Sequence, residues 1–181
     1  MGDVIETNWY VIKVRFNRTL IAQELLTKLG VEAFLPMELR TVVTKGRKVQ
    51  QKLMPMVANM IFINTTLQKL KDICAVHKFL VYSSHKVENR YEAMVVPDYQ
   101  MQQFRDFVEG NYEHIDYIDA SKVNFTKGER VRITSGVFKD KEALFVRVQG
   151  KRSKQAVVQI GEFVVAVTKS EIKKDMLEVI E

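Results

Sequence analysis

Apolar and polar residues alternate with a period of two in the C-terminal third of the chain. Val131 and Ile133 alternate with charged or polar residues, which is the pattern of a strand with one buried face. Gly136 follows where a tight turn needs a positive φ, and a second apolar run covers residues 143–148. Further strand patterns at residues 156–160, 163–168 and 177–180 complete a set that predicts a small all-β barrel.

The N-terminal part of the chain mixes strand patterns with helical periodicity. Ile21, Leu25 and Leu29 recur at helical spacing before Gly30, so a helix is predicted over residues 19–29. Valines on both sides of Lys45-Gly46 predict a hairpin. The remaining patterns predict strands at residues 9–14, 31–35, 60–63, 79–82 and 94–96, and helices that begin near Thr66 and Asp98.

These elements predict an α+β fold with two domains. In the first, residues 1–108, helices pack on an antiparallel or mixed sheet as an α/β sandwich. An acidic linker is expected at residues 109–121, because this stretch lacks a sustained apolar period. Residues 122–181 form the all-β domain.

The charge is distributed unevenly along the chain, whose formal net charge is +6. Residues 1–108 contain 15 Lys and Arg against 10 Asp and Glu, and residues 121–181 contain 13 against 8. Residues 109–120 contain four acids and no Lys or Arg. Two basic lobes suggest a polyanionic partner such as nucleic acid, and a merely soluble surface is the alternative.

The order of these motifs resembles the NusG family of transcription factors. The residues that carry the resemblance are WYV at 9–11, FLPM at 34–37, KGRK at 45–48, the apolar strand with Phe62, and the strand, glycine turn and strand of a KOW motif. The resemblance implies a ferredoxin-like, RNP-like N-terminal domain followed by an SH3-like KOW barrel. FLPM, Asn59 and the short, acid-poor hairpin without a large insertion are more similar to the specialised UpxY and RfaH branch.

The resemblance also implies a docking patch for RNA polymerase. In the family, an apolar patch of the N-terminal domain binds the paired clamp helices of the largest polymerase subunit. The corresponding residues here are Tyr10, Asn59, Met60, Phe62, Phe104 and Phe107. Met60 replaces the usual tyrosine, and methionine adapts well to an apolar partner surface.

The resemblance further implies that basic residues of the hairpin and of the segment after the first strand bind the non-template DNA strand of the transcription bubble. They are Arg15, Arg18, Arg40, Lys45, Arg47, Lys48 and Lys52. Residues 40–52 contain no acid, so phosphate contacts there would make binding salt-dependent. A solubilising hairpin tip is the alternative interpretation.

The KOW motif would consist of Gly128, Val131, Ile133, Gly136 and Phe138. This domain would bind a ribosomal protein, Rho factor or neither. Two functions therefore remain open. One is a NusG-type regulator that binds polymerase and suppresses pausing or termination, either for one surface-polysaccharide type of operon or as a housekeeping factor. The other is a KOW-type RNA- or ribosome-binding module without polymerase contact.

The sequence offers little for catalysis or metal binding. Cys74 and His77 lie one helical turn apart, but Cys74 falls on a predicted apolar stripe and no third group orients the pair. His77, His85 and His114 have no metal-ligand spacing. The first residues lack a signal-peptide pattern, and no apolar run is long enough for a bilayer. We expect a cytoplasmic monomer without cofactor, enzymatic activity or membrane partner.

Overall fold

The structure is a computed structural model that describes residues 6–43, 46, 49–56, 59–162 and 164–180. The chain divides into two compact units, Met1–Asp98 and Tyr99–Glu181. Helices and sheets occur together in the described residues, which confirms the predicted α+β class. None of the described helices is long and apolar enough to cross a membrane.

An antiparallel sheet organises the first unit. Its elements, in chain order, are β1 (Asn8–Val14), α1 (Thr19–Lys28), β2 (Glu32–Phe34), β3 (Met37–Val43), β4 (Val49–Pro55), β5 (Met60–Thr65), α2 (Leu67–Val76), β6 (Leu80–Tyr82), β7 (Ser84–Val87), β8 (Arg90–Ala93) and β9 (Val95–Val96). The strand order is β2-β5-β1-β6, and β9 also pairs with β1.

Strand β1 lies at the centre of this sheet and is apolar on both faces. Tyr10, Ile12 and Val14 belong to a buried cluster with residues of α1 and α2, including Leu26 and Leu70. Helix α2 begins where the sequence predicted, because Thr66 caps it: the backbone N–H of Lys69 donates to Thr66 Oγ1 over 3.2 Å.

Two hairpins stand outside the main sheet. Strands β3 and β4 pair from Met37↔Pro55 to Val43↔Val49, which confirms the hairpin predicted around Lys45-Gly46. Strands β7 and β8 form a second two-stranded hairpin whose side chains are almost all exposed. The sequence pattern did not predict this second hairpin, because neither of its strands has a buried face.

A six-stranded antiparallel sheet forms most of the second unit. Its elements are α3 (Asp98–Val108, which begins at the last residue of the first unit), β10 (Ile115–Asp119), β11 (Glu129–Ile133), β12 (Glu142–Arg147), β13 (Lys154–Ile160), β14 (Val164–Thr168) and β15 (Leu177–Val179). The order is β10-β14-β13-β12-β11-β15. Within the described residues β10 and β15 are edge strands, so hydrogen bonding does not close the sheet into the expected barrel.

The predicted linker and the predicted end of the first domain differ from the structure. Residues 115–119 are strand β10, which pairs with β14 from Ile115↔Thr168 to Asp119↔Val164. Helix α3 was expected in the first domain, but its aromatic side chains pack within the second unit. Phe107 stacks on Phe138 with ring centroids 4.8 Å apart, and Phe104 lies 6.3 Å from Tyr117. The apolar face of an amphipathic helix packs against another element, and residues of the second unit cover this face of α3.

Candidate nucleic-acid interface

A short turn between β1 and α1 carries exposed arginines and an exposed aromatic ring. Residues Arg15–Asn17 form a 3-10 turn in which Phe16 has φ 62° and ψ 30° and Asn17 has φ 53°. Asparagine tolerates this left-handed region, whereas a bulky aromatic residue rarely adopts it. The ring of Phe16 is 76% exposed, so burial of the ring does not compensate for the strained backbone.

Arg18 lies near two aromatic rings. Its guanidinium carbon is 5.8 Å from the ring centroid of Phe16 and 5.9 Å from that of Phe79. Both distances are in the range of cation–π attraction. The backbone N–H of Arg15 donates to the Phe79 carbonyl over 2.8 Å, which anchors the turn to the segment before β6. The turn therefore holds an arginine and an exposed ring in a fixed arrangement.

Asn59 joins the start of β5 to the end of β1. It has φ 49°, and its carbonyl accepts a hydrogen bond from the backbone N–H of Val14 over 2.6 Å. Its side-chain oxygen lies 3.5 Å from the hydroxyl of Thr19 at the start of α1. The side chain of Asn59 is only half-buried. Of the residues predicted to dock on polymerase, it is the one with an accessible side chain.

A pocket of about 610 Å³ opens between the start of α1 and the base of the first hairpin. Its apolar walls include Leu20 and Ile21, which are about half exposed. The full lining is Asn17, Arg18, Thr19, Leu20, Ile21, Arg40, Met54, Pro55, Met56 and Asn59. Among the described residues, two arginines and no acid line it, and the first turn of α1 also lacks an acid. The local potential is therefore positive.

The hairpin β3–β4 adds cations beside this pocket. Arg40 and Lys52 are directly opposed in the register of the two strands. Arg40 forms an ion pair with Glu38 of its own strand, so its charge is partly compensated, whereas Lys52 is exposed. Lys45, Arg47 and Lys48, which were also predicted to bind DNA, lie outside the described residues.

A comparison with protein families decides the identity of this chain. The model of the family described as "NusG: Transcription termination factor nusG" matches residues 7–105, more than half of the sequence. The chain belongs to the NusG family. The resemblance seen in the motif order is thereby confirmed for the family, which consists of transcription factors.

The chain was also compared with solved structures and with curated protein sequences. A solved structure of NusG from Thermotoga maritima, from work on its domain interaction, is similar with 17% sequence identity and a TM-score of 0.43. The similarity covers 97% of this chain and 98% of that chain. No curated protein sequence matches this chain.

Most residues expected to form the NusG-type docking patch are buried. Tyr10, Met60 and Phe62 are at most 7% exposed, and consecutive residues of β5 are buried, so both faces of this strand are covered. Phe104 and Phe107 are fully buried in the second unit. The expectation of an accessible patch is corrected accordingly: these side chains pack the interior in this structure.

The residues of the predicted KOW motif build a strand, a turn and a strand. Val131 and Ile133 of β11 are buried, and Gly136 adopts φ 82° at the turn. A Cβ atom on Gly128 would lie 2.3 Å from Cγ of Leu144, so only glycine fits there without a shift of the neighbour. Phe138 is buried against Phe107. All five positions therefore have structural roles.

Cys74 and His77 both have packing contacts in the structure. Cys74 is half-buried, and burial raises the pKa of its thiol, which disfavours the reactive thiolate. His77 packs edge-on against Phe79. Among the described residues, no group of three or more His, Cys, Asp or Glu could hold a metal ion.

Proposed function

We propose that this protein is a transcription elongation and antitermination regulator that binds RNA polymerase and suppresses pausing or termination. The observation that carries the proposal is the pocket at the start of α1, whose described lining residues include two arginines and no acid, within the stretch that the NusG family model matches. A regulator of this kind needs to hold nucleic acid and polymerase together and performs no covalent chemistry, so we propose no enzymatic activity and no cofactor.

The charge of the two units supports a nucleic-acid partner for the first one. Residues 1–98 contain 14 Lys and Arg against 9 Asp and Glu, a net charge of +5, whereas residues 99–181 contain 14 against 13, a net charge of +1. The partner in this proposal is the non-template strand of the transcription bubble, contacted by Arg15, Arg18, Arg40 and Lys52 and by the hairpin residues Lys45, Arg47 and Lys48. Such contacts neutralise phosphates and release counterions.

The polymerase partner in this proposal is the clamp of its largest subunit. Family membership supports it, and the half-buried Asn59 is the predicted residue with an accessible side chain. A factor that binds the closed clamp more tightly than the open clamp shifts the population towards the closed, elongating state. The sequence features FLPM and the short hairpin favour an operon-specific role, with the KOW unit available to a ribosomal protein or Rho.

Copurification tests the proposed partner. The tagged full-length protein is recovered from a lysate of its own organism after nuclease treatment, so that nucleic acid cannot bridge the proteins. We expect the largest subunit of RNA polymerase to be retained. Retention of ribosomal proteins in place of polymerase would favour a ribosome-binding module and contradict the proposal.

A further inference from the structure

A polar pocket of about 770 Å³ opens in the second unit where β12 ends and the chain turns into β13. Its walls are residues 121–126, which precede β11, and residues 147–151 of the β12–β13 turn. The KOW-motif turn that contains Gly136 lies at the opposite end of β12. The pocket is therefore a feature of its own, and none of the predicted KOW residues lines it.

Backbone hydrogen bonds hold the two walls of this pocket together. Val123 and Val148 form an isolated β-bridge, and the backbone N–H of Gln149 donates to the Lys122 carbonyl over 3.0 Å. Within the turn, the backbone N–H of Lys151 donates to the Val148 carbonyl over 3.1 Å. The side chains that project from both walls consequently start from fixed backbone positions.

Lysine and arginine give this pocket its charge. Lys122, Arg147 and Lys151 line it, and no acid is among its described lining residues. Lys122 and Arg147 are exposed, whereas the Lys151 ammonium lies 3.5 Å from a carboxylate oxygen of Asp116. Residues 143–161 contain four Lys and Arg and no acid. Since the second unit has a net charge of only +1, its positive potential is local to this end.

The uncharged side chains of the pocket suit a single-stranded nucleic acid. Asn124 and Gln149 are exposed, and amides of this kind commonly bind phosphate and sugar oxygens. The Thr126 hydroxyl lies 2.6 Å from Asn124 Oδ1 and donates to it, so both N–H groups of that amide can donate to a ligand. Phe125 is half-buried, and the accessible part of its ring can stack on a base.

We infer that the pocket formed by residues 121–126 and 147–151 binds single-stranded RNA. Its three cations pair with phosphates, the amides of Asn124 and Gln149 bind ribose hydroxyls, and the ring of Phe125 stacks on a base. The inference rests on the proposed function, since an elongation regulator travels with the nascent transcript. It goes beyond that function, which assigns nucleic acid to the first unit. An acidic protein segment is the competing occupant, but it would use the cations and leave the amides and the ring without a role.

Photocrosslinking locates RNA on the full-length protein. A single-stranded oligoribonucleotide that carries 4-thiouridine should crosslink to the peptide that contains Phe125, as identified by mass spectrometry. The matching oligodeoxyribonucleotide with 4-thiothymidine should crosslink less to this peptide, because it lacks the 2′-hydroxyl group.

Two triple variants test the role of the cations. The pocket variant is Lys122→Gln/Arg147→Gln/Lys151→Gln. The control variant removes the same charge from exposed positions of the second unit and is Lys139→Gln/Lys173→Gln/Lys174→Gln.

The pocket variant should lose the crosslink at Phe125 and keep its melting temperature, because none of its three side chains is buried. The slope of log RNA affinity against log salt should fall by about 0.7 for each lost phosphate contact. The control variant should retain both the crosslink and the slope.

Four results would overturn the inference. Crosslinks only within residues 1–98 would remove the site, and equal losses of slope in both variants would show nonspecific attraction. Equal crosslinking of Phe125 by DNA would contradict the assignment to RNA. Polyglutamate that prevents this crosslink as effectively as unlabelled RNA would assign the pocket to an acidic protein segment. A crosslink at Phe125 in a protein that does not copurify with polymerase would support the site and contradict the proposed function.

Discussion

At the scale of single residues, the surroundings of Asn59 and Gly128 restrict which residue types fit at these two positions. Asn59 adopts a positive φ and its carbonyl holds Val14, so its conformation fixes the entry into β5. At Gly128 the restriction comes from packing and not from the backbone. Its φ is ordinary, but the side chain of Leu144 occupies the space that a Cβ atom would need. The first position needs a residue that tolerates left-handed backbone, and the second needs the absence of a side chain.

Gly128→Ala should therefore destabilise the second unit. The added methyl group would overlap Leu144, and overpacking of this kind costs about 1–3 kcal/mol of unfolding free energy. Chemical denaturation followed by circular dichroism measures the change. Lys127→Ala, an exposed neighbour, is the control and should change the unfolding free energy by less than about 0.5 kcal/mol.

The double variant Gly128→Ala/Leu144→Ala identifies the cause. If the overlap with Leu144 is responsible, the two substitutions together should cost less than the sum of their separate effects. Strict additivity would show that the loss at Gly128 has another origin.

Single residues also show why part of the site escaped prediction. The motif order pointed to Met60 and Phe62 as docking residues, but the sequence did not reveal that both faces of β5 are buried. Conversely, Arg15 and Arg18 were predicted to bind DNA and are exposed. Phe16, between them, was not singled out, because a positive φ at an aromatic residue cannot be predicted from the sequence. Its position among arginines was the available signal.

At the scale of elements, the sequence correctly predicted those strands and helices in which one buried face gives the apolar residues a regular spacing. Strand β1, helix α1, the β3–β4 hairpin and the strands β11 to β14 all follow from apolar patterns. The β7–β8 hairpin has no buried face, and β10 alternates only weakly among acids, so neither was predicted. The apolar stripe of α3 was predicted, but a stripe does not specify which neighbour covers it.

Strand β10 should behave as part of the sheet and not as a linker. Because β10 is an edge strand, we expect those amides of residues 115–119 that donate to β14 to exchange slowly. Hydrogen exchange followed by mass spectrometry measures this protection. The β7–β8 hairpin is also paired but has no buried face, so it provides an internal reference for faster exchange. Exchange of β10 as fast as that reference would restore the linker interpretation.

At the scale of the whole molecule, the positive charge is concentrated in the first unit. The sequence alone suggested two basic lobes, but the boundary between Asp98 and Tyr99 assigns the acidic stretch 109–120 to the second unit and leaves it nearly neutral. The boundary could not be predicted, because it depends on which unit covers α3. This distribution predicts that nucleic-acid affinity belongs mainly to the first unit.

The charge account predicts the salt dependence of binding. Arg15→Gln combined with Lys52→Gln should reduce the slope of log affinity against log salt by about 0.7 for each lost contact with a single strand. The melting temperature should hardly change, because both side chains are exposed. Lys86→Gln with Arg90→Gln on the β7–β8 hairpin is the matched control. An equal loss of slope in both pairs would indicate nonspecific attraction.

The central claim is that this NusG-family protein keeps RNA polymerase in its elongating state. The most direct measurement is the pause lifetime of its own organism's polymerase in single-round transcription, with and without saturating full-length protein. The account predicts shorter pauses and more read-through at a terminator, with a smaller effect for the Arg15→Gln/Lys52→Gln variant. Unchanged or longer pauses at saturation would contradict it.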